Sequence, residues 1–486
     1  MGWLGNYRYR VPITIDHTKV SSNISHFPIA LILDSSAGIG SDDITFIFDE
    51  LTSNSKKIAI TLSDGITQIY GEIEAWNDTT EKAVIWVSRS SLTLSSSSDT
   101  TIYFYFDSSM PDNTDYIGDV GSTPGQNVWD SDFVAVFHLS EDPSANGGVD
   151  AVKDSTQNGY DATSYGSMTS GDLVDGKIGK GLEFDGSDDR AYSSVGGDDI
   201  SSNLTLEAVI NHSVLNQVAS QRYLTIMSET ACIRHSTNTT NDLHFFIKTD
   251  GTLRHLYNDV LSTSTDYYVA GTWDGTTQKI ILDTTVIDSQ TPGGSLSTPN
   301  GEIRISAGES MNGIMSEIRA SKIARSKAWT DATRHTIWDN LITWGGQEYQ
   351  QLDSLSMPLS AYARKNEDIK MDLRAHDGLE LRFLKMVLEA VIYISRKDLS
   401  LPLSVLGLNK KSISLALEAI LNKFKNMKMN LEAVDGNIFK NLKLILQVTD
   451  GTILKNVKLN VKVINATPVF KSVTAHRLDS VLHEVS

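Results

Sequence analysis

Short apolar stretches alternate with polar clusters through the first third of the chain. The stretches are YRVPITI, FPIALILD, ITFIF, KIAITL, AVIWVS and TIYFYF. They are rich in Ile, Val, Tyr and Phe, which favour strands, and Ser, Asn, Asp and Gly separate them. A run that is apolar throughout, such as 29–33, is typical of a strand in a sandwich core. The spacing therefore predicts a β-sandwich over residues 1–115.

A second series of strand-like stretches follows a predicted linker at 116–127. It consists of DFVAVFHL, KGLEFDG, LTLEAVI, LHFFIKTDG, YYVAGTWDG and KIILD. The dipeptides Asp250-Gly251 and Asp274-Gly275 are hairpin-turn signals, because Asp and Gly tolerate the left-handed backbone that tight turns need. Residues 128–350 are therefore predicted to form a second antiparallel domain.

The last part of the chain repeats a seven-residue pattern in which every second position is apolar. Its first apolar positions recur every 14 or 15 residues, at Leu355, Ile369, Leu384, Leu399, Ile413, Met427, Leu442 and Val457. Alternation with period 2 indicates a strand with one apolar face. Turn residues follow several copies, as in Asp377-Gly378, Asp435-Gly436 and Asp450-Gly451, and a short apolar piece such as Ile453-Leu454 comes next. We expect eight strand-turn-strand repeats over 351–465 and a tail at 466–486.

A helical interpretation of the repeats is the weaker alternative, because amphipathic helices need a period of 3.6 and tolerate few Asp-Gly breaks. A unit this small must bury its apolar face against neighbouring copies or against other chains. In period and pattern the repeats resemble the shafts of trimeric viral fibres, which implies a homotrimer, although Gly is kept in only some copies. A monomeric β-solenoid and a sheet of stacked meanders stay open.

Charge divides the chain near residue 350. The net charge is −18, but residues 351–486 hold 20 Lys and Arg against 14 Asp and Glu, and all eight Trp lie before residue 345. An acidic body of this kind argues against nucleic-acid binding. No apolar run reaches the length of about 20 residues that spans a bilayer. The N-terminus lacks the apolar core of a secretory signal, so an extracellular location would need another route out, such as host lysis.

Few residues are candidates for catalysis, disulfide formation or metal binding. The one cysteine, Cys232, excludes an intramolecular disulfide, and it is expected to be a small buried hydrophobe. Glu183 and Asp185 would share a strand face, as a glycosidase pair does, but Gly186 breaks the strand and favours an Asp-rich turn. Asp185, Asp188 and Asp189 offer clustered hard oxygens and form a candidate calcium site.

The remaining residues indicate no catalytic constellation. His138 is expected to be a packed or surface histidine on a strand, and no pair of histidines has the spacing of a metal-binding helix. We therefore expect no enzymatic activity, no required cofactor and, apart from calcium, no metal. The ligand-binding residues cannot be assigned from the sequence.

The first domain resembles a β-sandwich family of unknown function whose members commonly precede a laminin-G-like module in cell-surface and viral proteins. The matching residues are Trp3, Tyr9-Arg10, 12–15, Phe27-Pro28, 72–76 and 83–87. This resemblance implies a sandwich fold and no particular chemistry.

The second domain resembles the concanavalin-A-like, laminin-G-like jelly-roll family. The matching pieces are Trp129 with 134–139, then 181–186, 270–275, 313–319, 324–326, Ala328-Trp329 and Trp344-Gly345. The resemblance implies a jelly roll that binds glycans or proteins and in some members holds calcium.

Together these features predict an all-β virion structural protein: a phage fibre, spike or decoration protein. Lectin-like domains would adhere to cell-surface glycans or the host surface, and the basic C-terminal repeats would attach to other virion proteins or join copies of the chain. The expected location is the virion or the extracellular space. The alternatives are a glycan-cleaving enzyme on the jelly roll, carried by Glu183 and Asp185, and a cellular surface adhesin.

Overall fold

The computed structural model describes residues 2–215, 220–226, 230–236, 241–299, 301–306 and 310–352, and beyond these the strands of the repeat region. The chain divides into two compact units, Met1–Gln347 and Glu348–Ser486. Antiparallel sheets dominate the first unit and parallel strand pairs the second, while the few helices are short. The prediction of an all-β fold is confirmed.

The N-terminal sandwich is built from nine strands in the first third of the chain. They are β1 (Tyr9–Ile15), β2 (Ile24–Ser25), β3 (Ile29–Leu33), β4 (Ile58–Leu62), β5 (Gln68–Asn77), β6 (Lys82–Ser88), β7 (Thr93–Leu94), β8 (Thr100–Phe106) and β9 (Ile117–Asp119). The main sheet runs β1-β8-β4-β5-β6-β3, with β9 parallel to β5. Strand β5 changes partner along its length, since its start pairs with β4 and the rest with β6, and the buried side chains of both halves form one hydrophobic cluster.

One predicted strand is a helix instead. The stretch ITFIF runs into α1 (Phe46–Leu51), so the strand prediction at 44–48 is wrong. Ile44, Ile47, Phe48 and Leu51 are all buried, and their spacing of three, four and seven residues is that of one helix face. A short run rich in Phe and Ile satisfies both strand and helix patterns, and packing decides between them.

The segment expected to be a linker, 116–127, is ordered within the fold. It contains strand β9 and the short helix α2 (Thr123–Gln126), whose N-cap is Ser122. The described residues of this unit also form four 3₁₀ turns, at His17–Lys19, Ala145–Gly148, Ser170–Asp172 and Gly197–Asp199.

The jelly roll consists of two facing sheets. Its strands are β10 (Phe133–Phe137), β11 (Thr163–Tyr165), β12 (Leu173–Asp175), β13 (Lys180–Asp185), β14 (Arg190–Gly196), β15 (Leu204–His212), β16 (Gln221–Ile226), β17 (Ala231–His235), β18 (Asp242–Thr249), β19 (Thr252–Asp259), β20 (Asp266–Trp273), β21 (Gln278–Leu282), β22 (Thr285–Gln290), β23 (Glu302–Ile305) and β24 (Asn312–Ser321). The inner sheet runs β12-β13-β24-β15-β20-β21-β22, with β10 beside β24, and the outer sheet runs β11-β14-β23-β16-β17-β18-β19. Their facing side chains form one hydrophobic cluster.

The inner sheet is covered on both faces. Leu206 and Ala208 of β15 belong to the jelly-roll core, whereas Val209 of the same strand belongs to the core of the N-terminal sandwich. Successive side chains of a strand point to opposite faces, so the sheet separates two cores. This double burial explains why every residue of β15 except Asn211 is buried.

Both predicted hairpins are present. Strands β18 and β19 pair down to Thr249 opposite Thr252, and the two residues between them, Asp250 and Gly251, both have positive φ. Trp273 lies opposite Gln278 across the turn that contains Gly275.

The end of the first unit returns to the N-terminal sandwich. Helix α3 (Lys327–Ile337) packs against β3, where the hydroxyl of Thr336 accepts a hydrogen bond of 2.9 Å from the backbone N–H of Ala30. Strand β25 (Ile342–Trp344) then pairs with β1. The N-terminal sandwich therefore contains residues from both ends of this unit.

The second unit begins with the short strand β26 (Glu348–Tyr349), and the described strands after it form parallel pairs. They are β27 (Gln351–Leu352), β28 (Leu355–Arg364), β29 (Glu380–Leu381), β30 (Phe383–Tyr393), β31 (Asp398–Leu406), β32 (Ser412–Leu421), β33 (Asn426–Val434), β34 (Asn441–Thr449), β35 (Asn456–Ile464) and β36 (Val473–Arg477). One sheet runs β28-β30-β32-β34-β36 and another β31-β33-β35. Each described copy of the pattern therefore pairs with a copy two positions away along the chain, as Leu355 does with Leu384.

Some of the predicted repeat features lie outside the described residues. They are the second copy at 369–375, the turns at Asp377-Gly378, Asp435-Gly436 and Asp450-Gly451, and the short piece at Ile453-Leu454.

Candidate functional site

An open pocket lies on the outer sheet of the jelly roll, at the open end of the β18–β19 hairpin, where Asp242 lies opposite Asp259. Its volume is about 570 Å³, which is within the usual range of small-ligand sites. Strand alternation places the side chains, because His244 of β18 lies directly opposite Tyr257 of β19 on the face away from the core. The residues that line it include Ser236, Asp242, His244, His255, Tyr257 and Asp259.

Tyr257 provides the apolar surface of the pocket. Its side chain is 65% exposed, the highest value among the large hydrophobic residues that the structure describes as exposed. Its ring meets the ring of His244 edge-on, with centroids 6.3 Å apart. An exposed aromatic ring beside polar groups is a common feature of binding surfaces.

A chain of hydrogen bonds fixes the protonation of the two histidines. The Arg234 Nε–H donates to His244 Nδ1 at 3.1 Å, so His244 carries its proton on Nε2 and donates it to His255 Nδ1 at 2.9 Å. His255 therefore carries its own proton on Nε2. Burial, then Arg234 and His255, lower the pKa of His244 to about 3, and burial with Arg234 also lowers that of His255. The pair is neutral at pH 7.

Asp242 supplies a fixed acceptor at the other side of the pocket. Its Oδ1 accepts a hydrogen bond of 3.1 Å from the backbone N–H of Ser236 and lies 3.2 Å from His235 Nδ1. Burial opposes ionisation of this carboxyl, but the hydrogen bonds from His235 and Ser236 outweigh it and lower its pKa. Asp242 and the exposed Asp259 give the pocket an acidic character.

The three candidate calcium ligands lie together. Carboxylate oxygens of Asp185, Asp188 and Asp189 come within 4.8 Å of one another, where β13 ends. Asp185 and Asp188 are exposed, whereas Asp189 is buried and its Oδ2 accepts the Asp185 N–H at 3.1 Å. Burial first, and then the neighbouring aspartates, raise the pKa of Asp189 to about 6. The calcium site itself stays a prediction.

The two carboxylates considered for glycan cleavage are at exposed positions of β13. Glu183 and Asp185 are two residues apart and therefore on one face, and the strand ends at Asp185. Asp185 accepts hydrogen bonds from the N–H groups of Ser187 and Asp188, which is the Asp-rich turn that the sequence favours.

Two further residues singled out in the sequence are buried. Cys232 is fully buried on β17. His138 is fully buried directly after β10, among glutamates of β5 and β24 that the sequence did not connect with it. The pocket around Tyr257 was also missed, since only the hairpin signal at Asp250-Gly251 pointed to that part of the sheet.

No helix among the described residues is long and apolar enough to cross a membrane. Neither a protein-family model nor a curated protein matches the chain.

Several solved structures are similar to part of the chain. The receptor-binding domain of botulinum neurotoxin mosaic serotype C/D matches 43% of it at 13% identity and a TM-score of 0.33. The binding domain of Paraclostridial Mosquitocidal Protein 1 matches 43% at 11% identity and a TM-score of 0.34. In both cases the match spans about half of the other protein, at 54% and 55%.

A smaller domain matches over nearly its full length. Domain 4 of AbnA, a GH43 extracellular arabinanase from Geobacillus stearothermophilus solved with arabinotriose, is covered to 96%. The match takes in 41% of this chain at 16% identity and a TM-score of 0.30.

Proposed function

We propose that the chain is a non-enzymatic carbohydrate-binding protein, and that the pocket around Tyr257 binds a neutral sugar of a surface glycan. The observation that carries this proposal is the combination of an exposed aromatic ring with fixed hydrogen-bonding groups in one open pocket on the outer sheet.

The chemistry of a sugar matches these groups. One face of a pyranose ring presents C–H groups, which pack on an aromatic ring such as that of Tyr257 through dispersion and weak C–H contacts. Sugar hydroxyls both donate and accept hydrogen bonds. Asp242 can accept from a hydroxyl, and the Nε2–H of His255 can donate to one.

Charge favours a neutral ligand over an acidic one. The pocket contains the carboxylates of Asp242 and Asp259, while its two histidines are neutral at pH 7. A sialic acid or a sulfated sugar would place a further negative charge beside them, which is unfavourable at short range.

The wider role we propose is adhesion by a virion fibre, spike or decoration protein. The binding head is the acidic first unit, and the basic second unit attaches to other virion proteins or joins copies of the chain. The repeated strands of the second unit support a stalk, since each described copy pairs with another copy of the same pattern. The resemblance of the repeats to trimeric fibre shafts offers three chains as the alternative to a single chain whose described copies pair with one another.

The test is binding of the purified full chain to an array of neutral and sialylated glycans. We expect binding to neutral glycans, and about a tenfold loss of affinity in Tyr257→Ala, since stacking of one ring contributes about 1 to 1.5 kcal/mol. Tyr257→Phe keeps the ring and should bind within about twofold of the wild type, on the same scale.

Ile66→Ala is the matched control, because Ile66 is also well exposed but lies on the N-terminal sandwich. Wild-type affinity in Tyr257→Ala, or binding to sialylated glycans alone, would contradict the proposal. Bound oligosaccharide should be recovered uncut, which chromatography of the ligand after incubation checks.

A further inference from the structure

Four buried charged side chains meet where the N-terminal sandwich packs against the jelly roll. Glu72 and Glu74 come from β5, His138 follows β10, and Glu317 comes from β24. Their side chains are between 0% and 2% exposed. Isolated charges at this depth are strongly unfavourable, so the cluster requires an explanation.

Three of these residues have the mutual distances of metal ligands. His138 Nδ1 lies 2.8 Å from Glu317 Oε2 and 3.6 Å from Glu74 Oε2. Bonds of about 2.0 to 2.2 Å to Zn²⁺ or Mn²⁺ place neighbouring ligand atoms about 3.0 to 3.5 Å apart. The observed distances bracket that range, and one ligand atom of each residue lies within 4.8 Å of the others.

Each of the three side chains is held by a further group. The Trp86 Nε1–H donates to Glu74 Oε2 at 2.7 Å, and the Arg319 Nε–H donates to Glu317 Oε1 at 2.7 Å. Such supporting hydrogen bonds are typical around metal ligands.

His138 has the same kind of support at its other nitrogen. Its Nε2 lies 3.4 Å from Glu72 Oε2, which also accepts a hydrogen bond of 2.6 Å from the Trp129 Nε1–H. A carboxylate behind the second nitrogen of an imidazole, with the first nitrogen facing other ligands, is the usual arrangement of a metal-binding histidine.

Unsatisfied oxygens provide a separate indication that a cation belongs here. Glu72 Oε1, Glu74 Oε1 and both carboxylate oxygens of Glu141 are buried without a hydrogen-bond partner. The N–H groups of Glu141 and Lys153 lie near the Glu141 carboxylate and favour its ionised form, but neither makes a well-aligned hydrogen bond to it. Buried carboxylate oxygens without partners are rare and costly.

The charges do not balance without a further cation. Glu72, Glu74, Glu141 and Glu317 face His138 and Arg319, the latter lying over the rings of Trp86 and Trp129 at 4.7 and 5.1 Å. An imidazole that binds a metal ion is neutral, so Arg319 alone opposes the four carboxylates, and one divalent ion would neutralise two of the three excess negative charges. Protonation of the glutamates is the other way to reduce the excess negative charge, because burial raises the pKa of Glu74 to about 8 and that of Glu141 to about 7.

We propose that Glu74, His138 and Glu317 bind one divalent metal ion, Zn²⁺ or Mn²⁺, which links the N-terminal sandwich to the jelly roll. One imidazole with two carboxylates suits these ions, whereas Ca²⁺ prefers a set made of oxygens alone. Because both sides of the contact supply ligands, the ion stabilises the junction between them.

The experiment uses the full chain, stripped with a chelator and titrated separately with Zn²⁺, Mn²⁺ and Ca²⁺. We expect one equivalent of Zn²⁺ or Mn²⁺ per chain by calorimetry and elemental analysis. The thermal midpoint should rise by several degrees on adding that ion, since it binds the folded state alone.

Glu74→Gln keeps the shape of the side chain and should lose both the stoichiometric ion and the thermal shift. Glu207→Gln is the control for removing a buried carboxylate, because Glu207 is equally buried and accepts a hydrogen bond from Tyr268 but is not one of the three ligands. The Glu207→Gln variant should keep both the stoichiometric ion and the thermal shift. Circular dichroism shows whether each variant is folded, and Glu317→Gln replaces Glu74→Gln if the latter is not.

Two results would overturn the proposal. One is a folded wild-type chain that takes up neither Zn²⁺ nor Mn²⁺ stoichiometrically, which would leave shared protons as the explanation of the cluster. The other is Glu74→Gln and Glu317→Gln binding the ion as tightly as the wild type. Calcium uptake that survives in both variants belongs to a different site and does not support the proposal.

Discussion

Ile13 in the first strand lies directly opposite Trp344 in the last strand of the first unit. Trp344 is 3% exposed, and its ring meets that of Phe104 at 5.9 Å. The N-terminal sandwich thus depends on residues that follow the whole jelly roll. Although the sequence patterns of the two domains are separate, we expect the first unit to unfold cooperatively.

Replacing Trp344 tests this dependence. Trp344→Ala should lower the free energy of unfolding by about 3 kcal/mol or more, because it leaves a cavity beneath β1. Trp338→Ala should cost less than half as much, since Trp338 is only partly buried. Chemical denaturation followed by tryptophan fluorescence and by far-ultraviolet circular dichroism measures both.

A fragment of residues 1–120 should fail to fold stably, whereas residues 1–347 should fold, because the shorter fragment lacks β25 and α3. Cooperative unfolding of the shorter fragment with wild-type stability would show that the returning segment is dispensable.

His212 makes the jelly roll sensitive to acid. It is fully buried, with Nε2 2.7 Å from the Tyr223 hydroxyl and Nδ1 3.1 Å from Gln221 Oε1, and burial with the nearby His235 lowers its pKa to about 3. Below about pH 6.5 the unfolded chain takes up a proton here that the folded chain does not, so stability falls as the pH falls.

Between pH 7.5 and pH 5 this residue alone should cost about 2 kcal/mol of unfolding free energy. His212→Gln should flatten that part of the pH profile, whatever its stability at pH 7.5. Urea denaturation at a series of pH values provides the measurement, and an unchanged slope in the variant would assign the acid sensitivity to other groups.

The candidate calcium site at the end of β13 gives a third prediction. Asp185, Asp188 and Asp189 are close together, but three aspartates without further protein ligands should bind weakly, with a dissociation constant of about 0.1 to 1 mM. Asp189→Asn should weaken binding at least tenfold in calorimetry, while Asp142→Asn should not, because Asp142 is a partly exposed residue that accepts a hydrogen bond from the Ser144 N–H within its own turn. A calcium concentration of about 10 mM is above the largest dissociation constants usual for calcium sites in proteins. If the wild type shows no calcium-dependent heat and no thermal shift at that concentration, the three aspartates do not form a calcium site.

The local pattern of apolar and polar residues was enough to predict most strands. It failed where packing against residues distant in the chain decides the secondary structure. The stretch at 29–33 is strand β3, and the Asp250-Gly251 turn joins two strands as expected. The strand prediction at 44–48 was wrong because burial of Ile44, Ile47 and Leu51 on one side favours a helix.

Local sequence pattern was also insufficient to predict the candidate sites. Glu72 and Glu74 stand out in the sequence only as part of a family resemblance, and nothing local connects them with His138 or Glu317. These residues meet because the sandwich packs on the inner sheet of the jelly roll, and a sequence pattern does not describe that contact. The pocket at Tyr257 likewise forms between residues of neighbouring strands. The register of strand pairing decides which residues become neighbours, and the sequence pattern does not specify that register.

The repeat region gives the last prediction. Every described strand from β28 to β36 pairs with a strand of the same chain, two copies away, and Leu399 lies opposite Met427 just as Leu355 lies opposite Leu384. Parallel pairing between alternate copies is the pattern of a β-solenoid with two copies in each coil, which needs no second chain.

We therefore expect the intact chain to have a native mass near 53.3 kDa, whereas the resemblance to fibre shafts predicts about three times that value. Native mass spectrometry and light scattering distinguish the two, on protein shown to be uncut. Replacing Leu417 by Asp places a charge at one of the alternating apolar positions of β32. In a solenoid it should expose the repeat region to protease without changing the mass, whereas in a trimer it should release single chains.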